Sequence, residues 1–365
     1  MWRSGNINNI LNMKVGDEMC IYLGQKFGLT YTSQEHVLPA ALGCCTKLDK
    51  GVVSDEANKY FSPIERDVIE HSLIQIPRII KGPGKRGKLS PKYAATSDVV
   101  PIKCSGRNGL GYMKSTEGYI LSQFIISQEN KIQFHWQANS TGNAQEEITK
   151  LKEQIASMGE KYVPVKMPQD DENVYIAYFK EKIHIGFHDI LPEERVKEIK
   201  DMFTGSITAK GEKVNYGQIS ATLPIEHNLR NLCIIAAKSA INTLAYLKGD
   251  QYILQTDEFD DIIRKIMSGS DEIFNSVAGI GFDGVEKIRQ KFFLDNDQQF
   301  CILVEEMKQL KAYVFLYEHG FEVLLCNCLK SSSGILMDGI VCNWKERKDY
   351  KYLEYLTNIG VLSKG

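Results

Sequence analysis

The sequence lacks three features that would each have indicated a class of protein. Its nine cysteines contain no CxxC pair, which argues against a zinc ribbon or a zinc knuckle. Its longest apolar runs, AYVFLY and FEVLLC, have the length of strands, and its N-terminus has no apolar run of signal-peptide length. Its formal net charge is −2, so binding of a nucleic acid would depend on a local basic patch. The odd number of scattered cysteines favours reduced thiols, and we therefore expect a cytoplasmic protein without membrane contact.

What the sequence does contain is typical of a folded chain with more than one domain. Its 365 residues are 43% hydrophobic and 25% charged, which is enough apolar material for sizeable cores. We expect an α+β fold in three parts: an N-terminal module (1–100), a connecting β-hairpin and helix (101–170), and a mixed α/β domain (171–365). The polar stretch MPQDDE at 167–172 marks the last of these boundaries.

Periodicity predicts the main elements. GYILSQFIIS and KIQFHWQA read as a hairpin, and AQEEITKLKEQIASMG (144–159) reads as a short helix. The segment 227–250 predicts a long central helix that ends at Gly249, where a C-cap glycine is expected. The alternating segment 300–327 predicts an antiparallel meander.

The chemistry-bearing residues cluster near the N-terminus. Glu35 and His36 precede Val37, Leu38 and Pro39, and Asn58 follows in a helical pattern some twenty residues later. Hydrolysis of a phosphodiester needs a base that activates water and positive charge that stabilises the transition state. A histidine beside a carboxylate, completed by an amide oxygen from a following helix, can provide the base and a site for a hard cation.

At these residues the chain resembles the HNH endonuclease superfamily and its ββα-metal module. The matching segments are CIYLG (20–24), EHVLPAALG (35–43) and SDEANKYF (54–61). The resemblance implies that His36 is the general base, that Glu35 and Asn58 bind Mg²⁺ or Mn²⁺, and that the substrate is DNA. It also places Lys59 and Arg66 where members of the family approach the phosphate backbone.

The sequence departs from the family at the zinc-binding cysteines. Those four positions are occupied here by Cys20, Leu23, Ser54 and Ala57, so we expect no structural zinc there and apolar packing in its place. The family's middle asparagine has no counterpart in the loop 44–52, which leaves a third metal ligand unassigned.

A basic, glycine-marked arm follows the helix at 78–92. It contains six cations and no acidic residue: Arg78, Lys81, Lys85, Arg86, Lys88 and Lys92. Such an arm beside a catalytic candidate predicts sequence-independent binding of phosphates, whereas alone it would read as a solvated loop.

Several other polar residues have structural interpretations. His184 and His188 alternate along a predicted strand with no third ligand in view, which favours structural histidines over a metal site. Cys326 and Cys328 lie in an apolar strand and are expected to be buried thiols. Lys238 and Asn242 share one face of the long helix, and we expect that face to be its solvated edge.

Three functional hypotheses remain open from the sequence. The first is a metal-dependent DNA endonuclease of bacterial anti-phage defence or restriction. The second is a nucleic-acid-binding protein without catalysis, for which His36→Ala would leave every activity unchanged. The third makes the C-terminal domain a sensor of a small ligand or partner protein that regulates the nuclease. RNA as substrate and a homodimer are also left open.

Overall fold

The computed structural model describes residues 19–84, 94–104, 106–137, 143–157, 161–189, 192–204, 210–214, 219–221, 228–296 and 298–363. The helices are α1 (Asp55–His71), α2 (Gln75–Ile80), α3 (Ala144–Ala156), α4 (Glu193–Thr204), α5 (Leu229–Lys248), α6 (Asp250–Leu254), α7 (Asp260–Ser268), α8 (Phe282–Lys291) and α9 (Tyr352–Asn358). The strands are β1 (Val100–Cys104), β2 (Arg107–Lys114), β3 (Glu117–Ile120), β4 (Gln123–Ile126), β5 (Ile132–Gln137), β6 (Val163–Lys166), β7 (Val174–Phe179), β8 (Lys182–Phe187), β9 (Lys210–Val214), β10 (Ile219–Ala221), β11 (Val277–Ile280), β12 (Gln299–Glu306), β13 (Gln309–Leu316), β14 (His319–Cys326), β15 (Met337–Asn343) and β16 (Lys348–Lys351). The fold class is α+β, as expected.

The chain divides into two compact units. Unit 1 combines both ends of the sequence, Met1–Ala95 and Ile225–Gly365, and unit 2 is the intervening segment Thr96–Pro224. This division differs from the three predicted parts. The expected boundary at 167–172 falls inside unit 2, because β7 pairs with β4 in one sheet. The N-terminal module and the C-terminal domain, predicted to be separate, share one hydrophobic core.

The centre of unit 1 is an antiparallel sheet with strand order β11-β14-β13-β12-β15-β16. Because side chains alternate along a strand, β12 supplies two cores. Cys301 and Leu303 face the core that contains α1 and α5, whereas Phe300 and Ile302 face the core beneath α8 and α9. The sheet is therefore covered on both faces, which explains why β12 is almost continuously apolar.

The long helix α5 was predicted correctly. Its residues are mostly strong helix formers, and the Asn228 side chain caps its start by accepting a hydrogen bond from Asn231 N at 3.1 Å. It ends before Gly249, whose φ of 83° favours glycine. The predicted meander is also present, as β12, β13 and β14.

Unit 2 contains two sheets, with strand orders β10-β1-β2-β3 and β6-β8-β7-β4-β5-β9. The predicted hairpin is confirmed as β4 and β5, and the predicted helix is confirmed as α3. Ile148, Leu151 and Ile155 form the buried stripe of α3 that the sequence indicated. Among the helices of the described residues, none combines the length and the hydropathy needed to cross a bilayer.

Candidate functional site

A short two-stranded ribbon carries Glu35 and His36. Val37 N donates to Thr46 O at 3.0 Å and Leu48 N donates to Glu35 O at 2.8 Å, which pairs His36 with Lys47. A 3-10 helix, Ala40–Leu42, turns the chain between the two arms. It ends at Gly43, which has a φ of 107°, and a Cβ there would lie 2.3 Å from the Cβ of Trp344. Only glycine permits both that backbone conformation and that close approach.

Helix α1 follows the ribbon and is tied to it by its first residues. Ser54 caps the helix, since its Oγ accepts a hydrogen bond from Ala57 N at 3.2 Å. The Asp55 carboxylate accepts hydrogen bonds from the hydroxyl and backbone N–H groups of Thr32 and Ser33, and these bonds hold the pKa of Asp55 well below its usual range. The start of α1 is therefore fixed against the segment that leads into Glu35.

Asn58 lies in the first turn of α1, and only the nitrogen of its side-chain amide makes a hydrogen bond. Its Nδ2 donates to Ser33 Oγ at 3.1 Å. Its Oδ1 is buried and accepts no hydrogen bond. A buried acceptor without a donor is costly, so this oxygen marks a position where a further polar group or cation would be stabilising.

His36 is half-buried, and neither ring nitrogen makes a hydrogen bond with a described residue. Burial lowers the pKa of His36, and the nearby Lys47 lowers it further, while Glu65 acts in the opposite direction. The imidazole is consequently neutral at neutral pH and able to accept a proton. The backbone of His36 is held by α5, because Asn242 Nδ2 donates to His36 O at 2.9 Å and Asn242 Oδ1 accepts from Tyr22 at 2.6 Å.

The Glu35 carboxylate is paired with a buried ammonium. Lys238 Nζ lies 2.7 Å from Glu35 Oε1 and 2.5 Å from Glu65 Oε1, and the Lys238 side chain is only 3% exposed. Burial by itself would lower the pKa of Lys238, but Glu65 and Glu35 outweigh it and raise that pKa. The lysine therefore carries its charge between two carboxylates, also lying 4.8 Å from the Phe61 ring centroid.

This finding corrects the sequence interpretation of Lys238 and Asn242. Both were expected on a solvated edge of the helix, and both are buried against the ribbon and α1. The sequence does contain one signal for this arrangement. The lysine lies within the apolar run CIIAAKSAI, which offers it no polar helix face. A lysine in such a run is therefore expected to be buried and paired with a carboxylate.

The predicted phosphate-binding residues differ in availability. Lys59 and Arg66 are exposed on α1 and make no hydrogen bond or ion pair with a described residue. Lys81 is paired with Glu318, and Arg78 is partly buried, which lowers its pKa. The remaining residues of the arm, Lys85, Arg86, Lys88 and Lys92, lie outside the described residues.

The positions of the family's zinc cysteines are packed into the core of unit 1. Cys20, Ser54 and Ala57 are completely buried, and Ser54 N donates to Cys20 Sγ at 3.4 Å.

In unit 2, His184 is buried, and that burial lowers its pKa. Cys326 is buried as expected, whereas Cys328 is exposed and corrects that prediction.

A different group of potential ligands was missed from the sequence. Within the described part of the chain, one set of three His, Cys, Asp or Glu side chains has its ligand atoms within 4.8 Å of one another: Cys44, Cys342 and Asp349. Cys44 is some three hundred positions away from Cys342 and Asp349, so neither spacing nor composition could have connected it to them.

Comparisons with known protein families, with curated proteins and with solved structures found no match to this chain.

Proposed function

We propose that this protein is a metal-dependent endonuclease of the HNH type that hydrolyses phosphodiester bonds in DNA. The observation that carries the proposal is the buried, donorless Oδ1 of Asn58 on the first turn of α1. Ser33 connects this residue to the segment preceding Glu35 and His36. An unsatisfied amide oxygen, on the helix that follows a carboxylate and an imidazole in the chain, is a donor that a hard cation could use.

The role of His36 follows from its surroundings. Its ring nitrogens are not engaged by described residues, and Asn242 fixes the backbone that carries them. In the proposed reaction, one ring nitrogen accepts a proton from the attacking water as the water oxygen bonds to phosphorus and the bond from phosphorus to the leaving oxygen breaks. The leaving oxygen takes a proton from solvent, and the imidazolium returns its own proton to solvent. A base whose backbone is held by a hydrogen bond and whose ring nitrogens are not engaged by described residues suits this proton transfer.

The residues present fit a divalent cation such as Mg²⁺ or Mn²⁺. The donors would be two oxygens, from the Glu35 carboxylate and the Asn58 amide, which is the ligand type that such ions prefer. The hydrogen bond to Lys238 uses Oε1 of Glu35, and Oε2 makes no hydrogen bond with a described residue. When bound, the cation would supply the positive charge that stabilises the phosphorane-like transition state.

The phosphates of the substrate would be bound by α1 and by the basic arm at 78–92 that follows it in the chain. Lys59 and Arg66 are seven residues apart on α1, hence close to one helical face, and their charges are not neutralised by described residues. Contacts of this kind bind phosphates without reading sequence. By analogy with nucleases that carry additional domains, we place the activity in bacterial defence or restriction, with a cytoplasmic location.

The experiment is plasmid cleavage by the full chain with and without Mg²⁺ or Mn²⁺. We expect metal-dependent cleavage by the wild type and a loss of at least about 100-fold on His36→Ala, the scale of a general base. His71→Ala at the other end of α1 is the control and should cleave like the wild type. Equal cleavage by His36→Ala and the wild type would refute the assignment.

A second function is favoured by one observation, the ion pair between Glu35 and Lys238. A carboxylate neutralised by a buried ammonium suits a protein that binds nucleic acid without cutting it. This alternative predicts salt-dependent DNA binding by the wild type and His36→Ala alike, with no cleavage at any Mg²⁺ or Mn²⁺ concentration.

A further inference from the structure

Two distant parts of unit 1 bring a pair of thiols and a carboxylate together. Cys342 on β15 and Asp349 on β16 are direct partners in the antiparallel register of these strands. Cys44 follows Gly43 in the loop between the ribbon arms, where the glycine allows the chain to approach Trp344 closely. The loop therefore delivers its thiol to the side chains of the β15–β16 hairpin.

The spacing of the three ligand atoms is compatible with a metal centre. All three ligand atoms lie within 4.8 Å of one another, and Cys44 Sγ lies 3.4 Å from Asp349 Oδ2. Zinc bonds of about 2.3 Å to sulfur and about 2.0 Å to oxygen, arranged tetrahedrally, place sulfur and oxygen ligands about 3.5 Å apart. Little movement would be needed to bind an ion between them.

The Asp349 carboxylate is held in place and is also left incomplete. Its Oδ2 accepts hydrogen bonds from the backbone N–H groups of Cys45 at 2.7 Å and Thr46 at 2.6 Å. Its Oδ1 is buried and accepts no hydrogen bond. Two backbone donors hold one oxygen of the carboxylate in place, and the other oxygen of the same carboxylate is left without a donor.

We propose that Cys44, Cys342 and Asp349 bind one zinc ion, which connects the loop between the arms of the His36 ribbon to the β15–β16 hairpin of unit 1. Two sulfur ligands favour a thiophilic ion and disfavour Mg²⁺ or Mn²⁺, so this site is chemically distinct from the proposed catalytic one. Binding converts both thiols to thiolates and releases their protons to solvent. Among the described residues no fourth ligand joins the group, which leaves that position to water.

The site does not depend on the nuclease proposal. It lies on the loop and hairpin, and none of its ligands is among the residues assigned to catalysis. Its expected effect is on stability, because an ion that binds the folded chain alone stabilises it by linkage.

The test uses the full chain, stripped of metal and then titrated with Zn²⁺ and with Co²⁺ as a spectroscopic probe. We expect one ion per chain, a sulfur-to-cobalt charge-transfer band, and a zinc-dependent rise in melting temperature. Cys44→Ser should weaken binding by at least about 100-fold, since even outer-shell changes cost 10- to 100-fold. Cys45→Ser is the matched control, because the exposed Cys45 is adjacent in sequence and outside the cluster.

Three outcomes would overturn the proposal. The first is that the wild type shows no sulfur-to-cobalt band. The second is that Cys44→Ser and the wild type bind zinc with equal affinity. The third is that the protein, purified in a reducing buffer, contains a Cys44–Cys342 disulfide. Cys342 is fully buried, so Cys342→Ser is informative only together with its circular dichroism spectrum. Asp349→Asn gives a second variant, which should retain the charge-transfer band while losing affinity.

Discussion

At the scale of single residues, Lys238 is a buried charge in unit 1 that depends on two partners. Its ammonium is removed from water and shared between Glu35 and Glu65, so the three groups together carry one negative charge. Burying such a group is costly, and its partners recover the cost only while all remain in place. The same lysine orients the carboxylate proposed to bind metal, which links the stability of the core to the geometry of the site.

The variant Lys238→Met should therefore be strongly destabilised. It leaves two carboxylates facing a buried apolar side chain, and loss of one partner of a buried ion pair costs about 3–5 kcal/mol. Urea denaturation measures the change in the free energy of unfolding. Lys248→Met, an exposed change at the end of the same helix, should stay within about 0.5 kcal/mol of the wild type.

A compensated variant separates lost charge pairing from lost packing. Adding Glu35→Gln and Glu65→Gln to Lys238→Met removes the uncompensated charges and should recover much of the lost stability. If Lys238→Met proved as stable as the wild type, the buried ion pair would not exist in solution.

At the scale of elements, local pattern was sufficient where an element depends on its own residues. The apolar run of helix α5 and the glycine at 249 predict that helix from the sequence, and the alternation in β12 to β14 follows from the sheet that these strands form. The ribbon at His36 could be expected only through family resemblance, because it consists of an isolated bridge rather than two regular strands. The cluster at Cys44 depends on a hairpin at the other end of the chain, and no local signal encodes that contact.

The N-terminus of α1 gives a test at this scale. Ser54 is fully buried and caps the helix that carries Asn58, so Ser54→Ala removes the acceptor for Ala57 N. We expect a loss of about 1 kcal/mol in the free energy of unfolding. Ser62→Ala, an exposed change on the same helix, serves as the control. Equal stability of the two variants would show that the cap contributes nothing.

At the scale of the whole molecule, the two ends of the chain form one core. Val37, Leu38 and Phe61 from the N-terminal segment share a buried cluster with residues of α5 and the C-terminal sheet. Polar contacts also join these segments, since Asn231 Nδ2 donates to Asp67 at 2.7 Å and Gln299 Nε2 donates to Leu42 O at 2.7 Å. The sequence suggested a separable regulatory C-terminal domain because apolar patterns show which residues are buried and not against which segment.

This shared core predicts how fragments behave. Residues 1–95 alone should not fold, because the apolar face of α1 and the ribbon would lose α5 and the sheet as packing partners. Far-UV circular dichroism and amide hydrogen exchange should show little protected structure in this fragment. Addition of the fragment 225–365 should restore both, in a concentration-dependent manner, since the two pieces bury a common interface. A cooperative unfolding transition in residues 1–95 alone would contradict the shared core and restore the N-terminal segment as an independent module.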